Sequence, residues 1–229
     1  MSPVSKGLRE VIAMNSSNTI EQLLAGRVVG ILRLPEPHHA LRALEVAIEH
    51  GLRAVEVTMT TPGALSILQE ARRRWDGKAL VGAGTVLTAE EAQQAIDAGA
   101  QFVVSPILDE GMVQTALKHG IPPVPGVFSP TEAYRAWRMG ASIVKVFPAA
   151  TLGTQFFREL KAPLPQIRLM AVGGLNAHNA AEYLHAGADM VGVGGALFPK
   201  QAIAVGEFEG VAQSAESLAM LAHLHLEHL

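Results

Sequence analysis

The feature that most limits what this chain can fold into is a pattern that returns four times. His50-Gly-Leu-Arg-Ala-Val-Glu-Val57, Ala98-Gly-Ala-Gln-Phe-Val-Val-Ser105, Met139-Gly-Ala-Ser-Ile-Val-Lys-Val146 and Ala186-Gly-Ala-Asp-Met-Val-Gly-Val193 each place a glycine before a short run rich in β-branched residues. A glycine suits the position just past a helix end, where φ turns positive. The run that follows suits a strand buried on both faces of a parallel sheet. Fainter copies fill the gaps: Gly26 before Arg27–Leu32, Gly77 before Lys78–Gly82, Gly120 before Ile121–Pro125, and Gln166 before Ile167–Val172. Eight strands result, starting near residues 28, 53, 79, 101, 121, 142, 167 and 189, with steps of 20 to 26 residues. Each step leaves room for one helix and two short loops.

The intervening segments carry helical signals. Pro37–His50 sets Ala40, Leu41, Leu44, Ala47 and Ile48 on one face. Thr88-Ala-Glu-Glu91 and Ser129-Pro-Thr-Glu132 read as capping boxes, the second with proline at the first helical position. Eight even βα units predict a (β/α)8 TIM barrel, with an open doubly wound sheet as the competing fold. The expected organisation is one domain over residues 1–229, with a barrel core at about 28–200. A leading helix or flexible segment over 1–24 and a closing helix and tail over 206–229, with Val211, Leu218, Leu221 and Leu224 apolar, lie outside the repeat.

Composition narrows the function classes. Apolar residues make up 49% of 229 and mean hydropathy is +0.25, enough for a large core and against disorder. Eighteen Lys and Arg against 21 Asp and Glu give a net charge of −3, which argues against binding to nucleic acid. The absence of cysteine removes disulfides, thiolate catalysis and Cys-ligated metals. No apolar run reaches the length of a membrane span, and Met1–Ile20 lacks the apolar stretch of a signal peptide, so a cytoplasmic, soluble protein is expected. The nine histidines suggest no metal site: His38 and His39 are sequence neighbours, and His223, His225 and His228 crowd the C-terminal tail. Neither H-E-x-x-H nor a nucleophile elbow occurs.

In such barrels the active site is built at the C-terminal ends of the strands. Lys145 is the only one of six lysines inside an apolar strand, Ser142-Ile-Val-Lys-Val-Phe147. Removal from water lowers an ammonium pKa and exposes a neutral amine able to form a Schiff base. The plainer reading is a lysine that snorkels to the barrel mouth or pairs with a carboxylate. Glu56, between valines, is a general acid/base or the partner of that lysine, and both roles are compatible. Gly173-Gly174 and Gly194-Gly195 end strands seven and eight, where barrels commonly bind phosphate, although turn geometry alone also calls for glycine there. Gly82-Ala-Gly84-Thr85 lacks the third glycine and acidic residue of a dinucleotide fingerprint. Thr85 and Arg33 instead suit a substrate carboxylate, with a rim salt bridge as the alternative for Arg33.

Val55-Glu-Val-Thr58, Val81-Gly-Ala-Gly-Thr-Val86, Gly99-Ala-Gln-Phe-Val-Val-Ser-Pro106, Pro125-Gly126, Lys145-Val-Phe-Pro148 and Gly173-Gly174 resemble the 2-keto-3-deoxy-6-phosphogluconate aldolases. That family also includes 4-hydroxy-2-oxoglutarate and 2-keto-3-deoxy-6-phosphogalactonate aldolases. The resemblance runs from about Val28 to Phe198. It implies a class I aldolase, usually a homotrimer, working without metal or cofactor on a phosphorylated 2-keto acid to give pyruvate and D-glyceraldehyde 3-phosphate. It implies Lys145 as the Schiff-base lysine, Glu56 as proton shuttle, Thr85 near the pyruvate carboxylate, and Gly173, Gly174, Gly194 and Gly195 as the phosphate cradle, with Phe147 beside the substrate. Thr60 stands where some members carry arginine, which turns attention to Arg33 for the carboxylate. Val172 stands where the phosphogluconate enzymes have threonine. There, and in Phe147-Pro-Ala-Ala-Thr-Leu-Gly153, the chain is more similar to the phosphogalactonate enzymes. Gly195 replaces a common serine. Other readings stay open: a phosphosugar epimerase or isomerase on the same barrel, a 4-hydroxy-2-oxoglutarate aldolase, or a non-enzymatic trimeric scaffold.

Overall fold

A computed structural model describes residues 16–224. The sequence expectations for residues 1–15 and 225–229, including His225 and His228, lie outside that range. Helix α1 covers 16–26. The strands are β1 (Val28–Leu32), β2 (Ala54–Thr58), β3 (Leu80–Gly84), β4 (Val103–Val104), β5 (Pro123–Val124), β6 (Gly126–Val127), β7 (Val144–Val146), β8 (Leu169–Val172) and β9 (Met190–Val193). They run in the order β5-β4-β3-β2-β1-β9-β8-β7-β6, and every pair is parallel. β5 and β6 are two halves of one stave, split at Pro125. The first half pairs with β4 and the second with β7, so eight staves close into a ring. The ring is a TIM barrel, and its staves begin within about two residues of the predicted starts.

Alternation along the staves builds two cores. Val28, Leu32, Val55, Val57, Val144, Val146, Val191 and Val193 face outward to the helices. Val29, Ile31, Ala54, Leu80, Phe102, Val104, Val124, Ile143, Met170, Val172 and Met190 fill the interior. Leu23 of α1, with Ile20 and Leu24 against it, belongs to the interior cluster and closes the N-terminal end of the barrel. The ring of Phe102 occupies the place a side chain at Gly82 would need, since a Cβ there would stand 2.5 Å from it. Large and small residues thus alternate across the filled lumen.

Between the staves lie α2 (Ala40–Glu49), α3 (Ala64–Trp75), α4 (Ala89–Asp97), α5 (Glu110–Lys118), α6 (Pro130–Arg138), α7 (Ala149–Lys161) and α8 (Ala180–His185). Both predicted boxes cap their helices: Thr88 accepts from the Glu91 amide and Ser129 from the Glu132 amide. The glutamates reach one residue further back than expected, accepting from Leu87 N and Phe128 N. Two local readings change. The left-handed residue before β1 is Arg27 (φ 57) rather than Gly26, stabilised by its guanidinium donating to Leu224 O at 2.8 Å. The C-terminal region is broken into α9 (Lys200–Ala204), α10 (Glu209–Ala219) and a 3₁₀ turn (Met220–His223), with Val211, Leu218 and Leu221 buried. No helix among the described residues is long and apolar enough to cross a membrane.

Candidate active site

Strand alternation aims Glu56 and Lys145 into the lumen, on opposite sides of the ring near its C-terminal end. They are only 1% and 5% exposed. Among the described residues neither makes an ion pair with the other, and Glu56 Oε2 is buried without a hydrogen-bond partner. Burial drives both groups toward neutrality. The Glu56 carboxyl rises to about 7, chiefly by desolvation, with Lys145 and Arg33 pulling it back. The Lys145 amine falls below the ordinary lysine range for the same reason. Glu56 opposes that fall and Arg33 adds to it. The Phe147 ring lies 4.9 Å from Lys145 Nζ and favours the charged form by about 1 kcal/mol. The snorkelling alternative fails, because the amine is inside the barrel.

Close packing fixes Glu56. A Cβ on Gly84, across β2 and β3, would stand 2.6 Å from Glu56 Cδ and closer still to Oε1. The next residue, Thr85, is β-branched yet has φ 57. Such a conformation costs on the order of 1 kcal/mol or more and clusters at functional sites. It presents Thr85 Oγ1 to Arg33, whose Nη2 donates to it at 2.9 Å. Arg33 lies just past the end of β1, exposed at the mouth, with no rim salt bridge among the described residues. Thr60 is also exposed, but its hydroxyl pairs only with Thr58, 3.1 Å away. Thr58 also meets Thr61, which accepts from Leu34 N at 3.3 Å. This hydroxyl chain ties the β1 loop carrying Arg33 to the β2 loop. Thr61 was not singled out in the sequence, since nothing local marks a contact across 27 residues.

At the other side of the mouth, Val172 is buried at the end of β8, and Gly173 (φ 100) and Gly174 (φ 78) follow in left-handed conformations. Gly194 and Gly195 follow β9. Among the described residues the amides of Gly174, Gly194 and Gly195 donate to no backbone carbonyl. Free N–H groups over two neighbouring strand ends are a geometry able to bind an anion. No group of three or more His, Asp or Glu among the described residues is placed to hold a metal ion.

The closed barrel, the buried amine facing a carboxylate and the free amides at the mouth define a class: a barrel enzyme equipped for carbonyl chemistry on an anionic substrate. Residues 19–214 match the aldolase family described as KDPG and KHG aldolase. The 2-dehydro-3-deoxy-phosphogluconate aldolase of Treponema pallidum is 40% identical over 193 residues, 83% of this chain and 91% of that protein. The 2-dehydro-3-deoxy-6-phosphogalactonate aldolase of Escherichia coli is 34% identical over 172 residues, 75% of this chain and 84% of its own. A crystal structure of KDPG aldolase from Legionella pneumophila, with pyruvate captured at low pH as a covalent carbinolamine, superposes with a TM-score of 0.80. It is 28% identical and covers 87% of this chain and 97% of its own. The chain belongs to the KDPG and KHG aldolase family and is a carbon–carbon lyase, which sets aside the epimerase and scaffold readings.

Proposed function

We propose that the protein is a class I aldolase that reversibly cleaves a 2-keto-3-deoxy-6-phospho sugar acid, of the gluconate or galactonate type, to pyruvate and D-glyceraldehyde 3-phosphate. The observation that carries this reading is the buried, pKa-lowered amine of Lys145 facing Glu56 inside the barrel. Neutral Lys145 Nζ attacks the C2 ketone. Glu56, poised near neutrality, protonates the departing hydroxyl of the carbinolamine, and an iminium forms. The C3–C4 bond then breaks. Its electron pair moves into the iminium to give an enamine, and Glu56 takes the C4 hydroxyl proton directly or through a water. Glyceraldehyde 3-phosphate departs, C3 is protonated, and water releases pyruvate from Lys145.

The remaining residues orient the substrate. Arg33 and Thr85 hold the carboxylate, and Phe147 covers the reacting end. The free amides of Gly174, Gly194 and Gly195 hold the phosphate, far enough away to contribute positioning rather than chemistry. Val172 offers no hydrogen bond to a substrate hydroxyl. A cytoplasmic homotrimer completes the reading. Leu87, Ile107, Phe128, Tyr134 and Trp137 expose large apolar side chains on the segments after β3, β4 and β6 and on α6, a surface suited to another copy of the chain.

Borohydride reduction in the presence of pyruvate tests the reading. Lys145 gains the mass of a reduced pyruvyl group, and Lys145→Ala loses both labelling and turnover. Near-normal turnover in that variant overturns it.

A further inference from the structure

Gly173 and Gly174 form a turn with two consecutive positive φ angles, and glycine resists such ordering more than any other residue. Something outside the turn must define it. Two bonds do so. Ala150 N donates to Gly173 O at 3.0 Å, and Asn179 Nδ2 donates to Gly174 O at 3.1 Å. In a trans peptide the N–H points opposite to the carbonyl of the same plane. Holding Gly173 O therefore aims the Gly174 N–H, and holding Gly174 O aims the Leu175 N–H. Neither N–H donates to an acceptor among the described residues.

Asn179 is itself locked. Its Oδ1 accepts from Asn176 N at 2.9 Å, while Asn176 Oδ1 accepts from Asn179 N at 3.2 Å and His178 N at 2.8 Å. This reciprocal box has the form of a helix cap in which both partners are asparagine. It fixes the Asn179 amide so that its remaining hydrogens are directed to the glycine turn.

We infer that Asn179 is a positioning residue for phosphate recognition, aiming the Leu175 N–H into the anion-binding surface by holding the Gly174 carbonyl. The inference rests on the phosphate reading above. It assigns Leu175 as a further backbone donor and gives Asn179 an effect on selectivity rather than on the chemical step.

The test compares kcat/KM for the 6-phospho sugar acid with that for the same acid lacking phosphate, alongside exchange of pyruvate methyl protons with D2O. The exchange uses Lys145 and Glu56 without any phosphate. Asn179→Ala should lower kcat/KM about tenfold on the phosphorylated substrate, the scale of one lost hydrogen bond. The unphosphorylated acid and the exchange rate should stay within twofold of wild type. Asn179→Asp serves if the alanine variant folds poorly. It retains an acceptor for Asn176 N, loses the donor to Gly174 O, and is assayed at high salt to screen its charge. Equal losses on all three reactions would mean a structural role, and an unchanged preference for phosphate in either folded variant also overturns the inference. A wild-type enzyme with no preference for phosphate instead defeats the phosphate reading, and this inference with it.

Discussion

Gly84→Ala is a substitution that adds one methyl group and strikes one carboxylate. Gly84 does not have a positive φ, so alanine is compatible with its backbone. The new Cβ would nevertheless lie 2.6 Å from Glu56 Cδ, against an ordinary contact of 3.4 Å or more. The Glu56 carboxyl must retreat by about 0.8 Å, and more at Oε1. Glu56 is 1% exposed and has little room to do so without disturbing β2. Overpacking of this kind costs about 1–3 kcal/mol of stability. A displacement near 1 Å costs about 100-fold in rate, within the 10²–10⁴ that a general acid/base supplies. We expect kcat to fall about 100-fold, or about 3 kcal/mol in activation free energy. Pyruvate release, followed through lactate dehydrogenase and NADH at saturating substrate, measures this, with Tm recorded on the same sample. A double-mutant cycle isolates the cause. Once Glu56→Ala has removed the carboxylate, adding Gly84→Ala should cost little more. A folded Gly84→Ala variant within threefold of wild-type kcat, or full additivity with Glu56→Ala, would refute the steric argument.

Other outcomes follow from the same geometry. In the proposed mechanism Glu56 must hold a proton to expel the carbinolamine hydroxyl, and burial pushes its carboxyl up to about 7, so kcat/KM for cleavage should fall as pH rises through that region and that limb should vanish in Glu56→Gln, as pH–rate profiles would show. Because its folded pKa is raised, Glu56 contributes most to stability below about 4.5 and loses that contribution as pH rises through about 7. The Tm of Glu56→Gln should therefore gain on wild type across that interval in scanning calorimetry. Thr85→Gly should relieve about 1 kcal/mol or more of backbone strain yet raise KM for the 2-keto acid, because Arg33 loses its hydroxyl partner; an unchanged KM removes Thr85 from the carboxylate site. Val172→Thr should change the ratio of kcat/KM between the two C4 epimers severalfold by offering a hydroxyl beside the substrate, and steady-state kinetics on both acids decides it.

The staves were legible because each is a long-patterned apolar run after a turn signal, and a buried parallel strand leaves that trace. The break at Pro125 was not, since only the ring's closure shows that one stave must serve two neighbours in different halves. Nor was the kink in α7 at Gly153 (φ 72), which follows a helical start without a break in composition. Within the site, Lys145 and Glu56 stood out because charge between valines is costly anywhere in a sequence. Arg33 and Thr85 were readable from their places at strand ends, and the structure joins them. Thr61, Asn179 and the steric role of Gly84 stayed hidden. Each works through a contact set by the tertiary fold or by side-chain direction, which residue type does not encode.

Leu23 and its neighbours stopper one end of the barrel, so the reacting amine sits in a cul-de-sac with a single door. Traffic through one door has an order. In the mechanism proposed above, the aldehyde, held toward the threshold by its phosphate, leaves ahead of the three-carbon acid still bound to Lys145. In condensation the acid must go in first, because an aldehyde already in the doorway would bar the way to the amine.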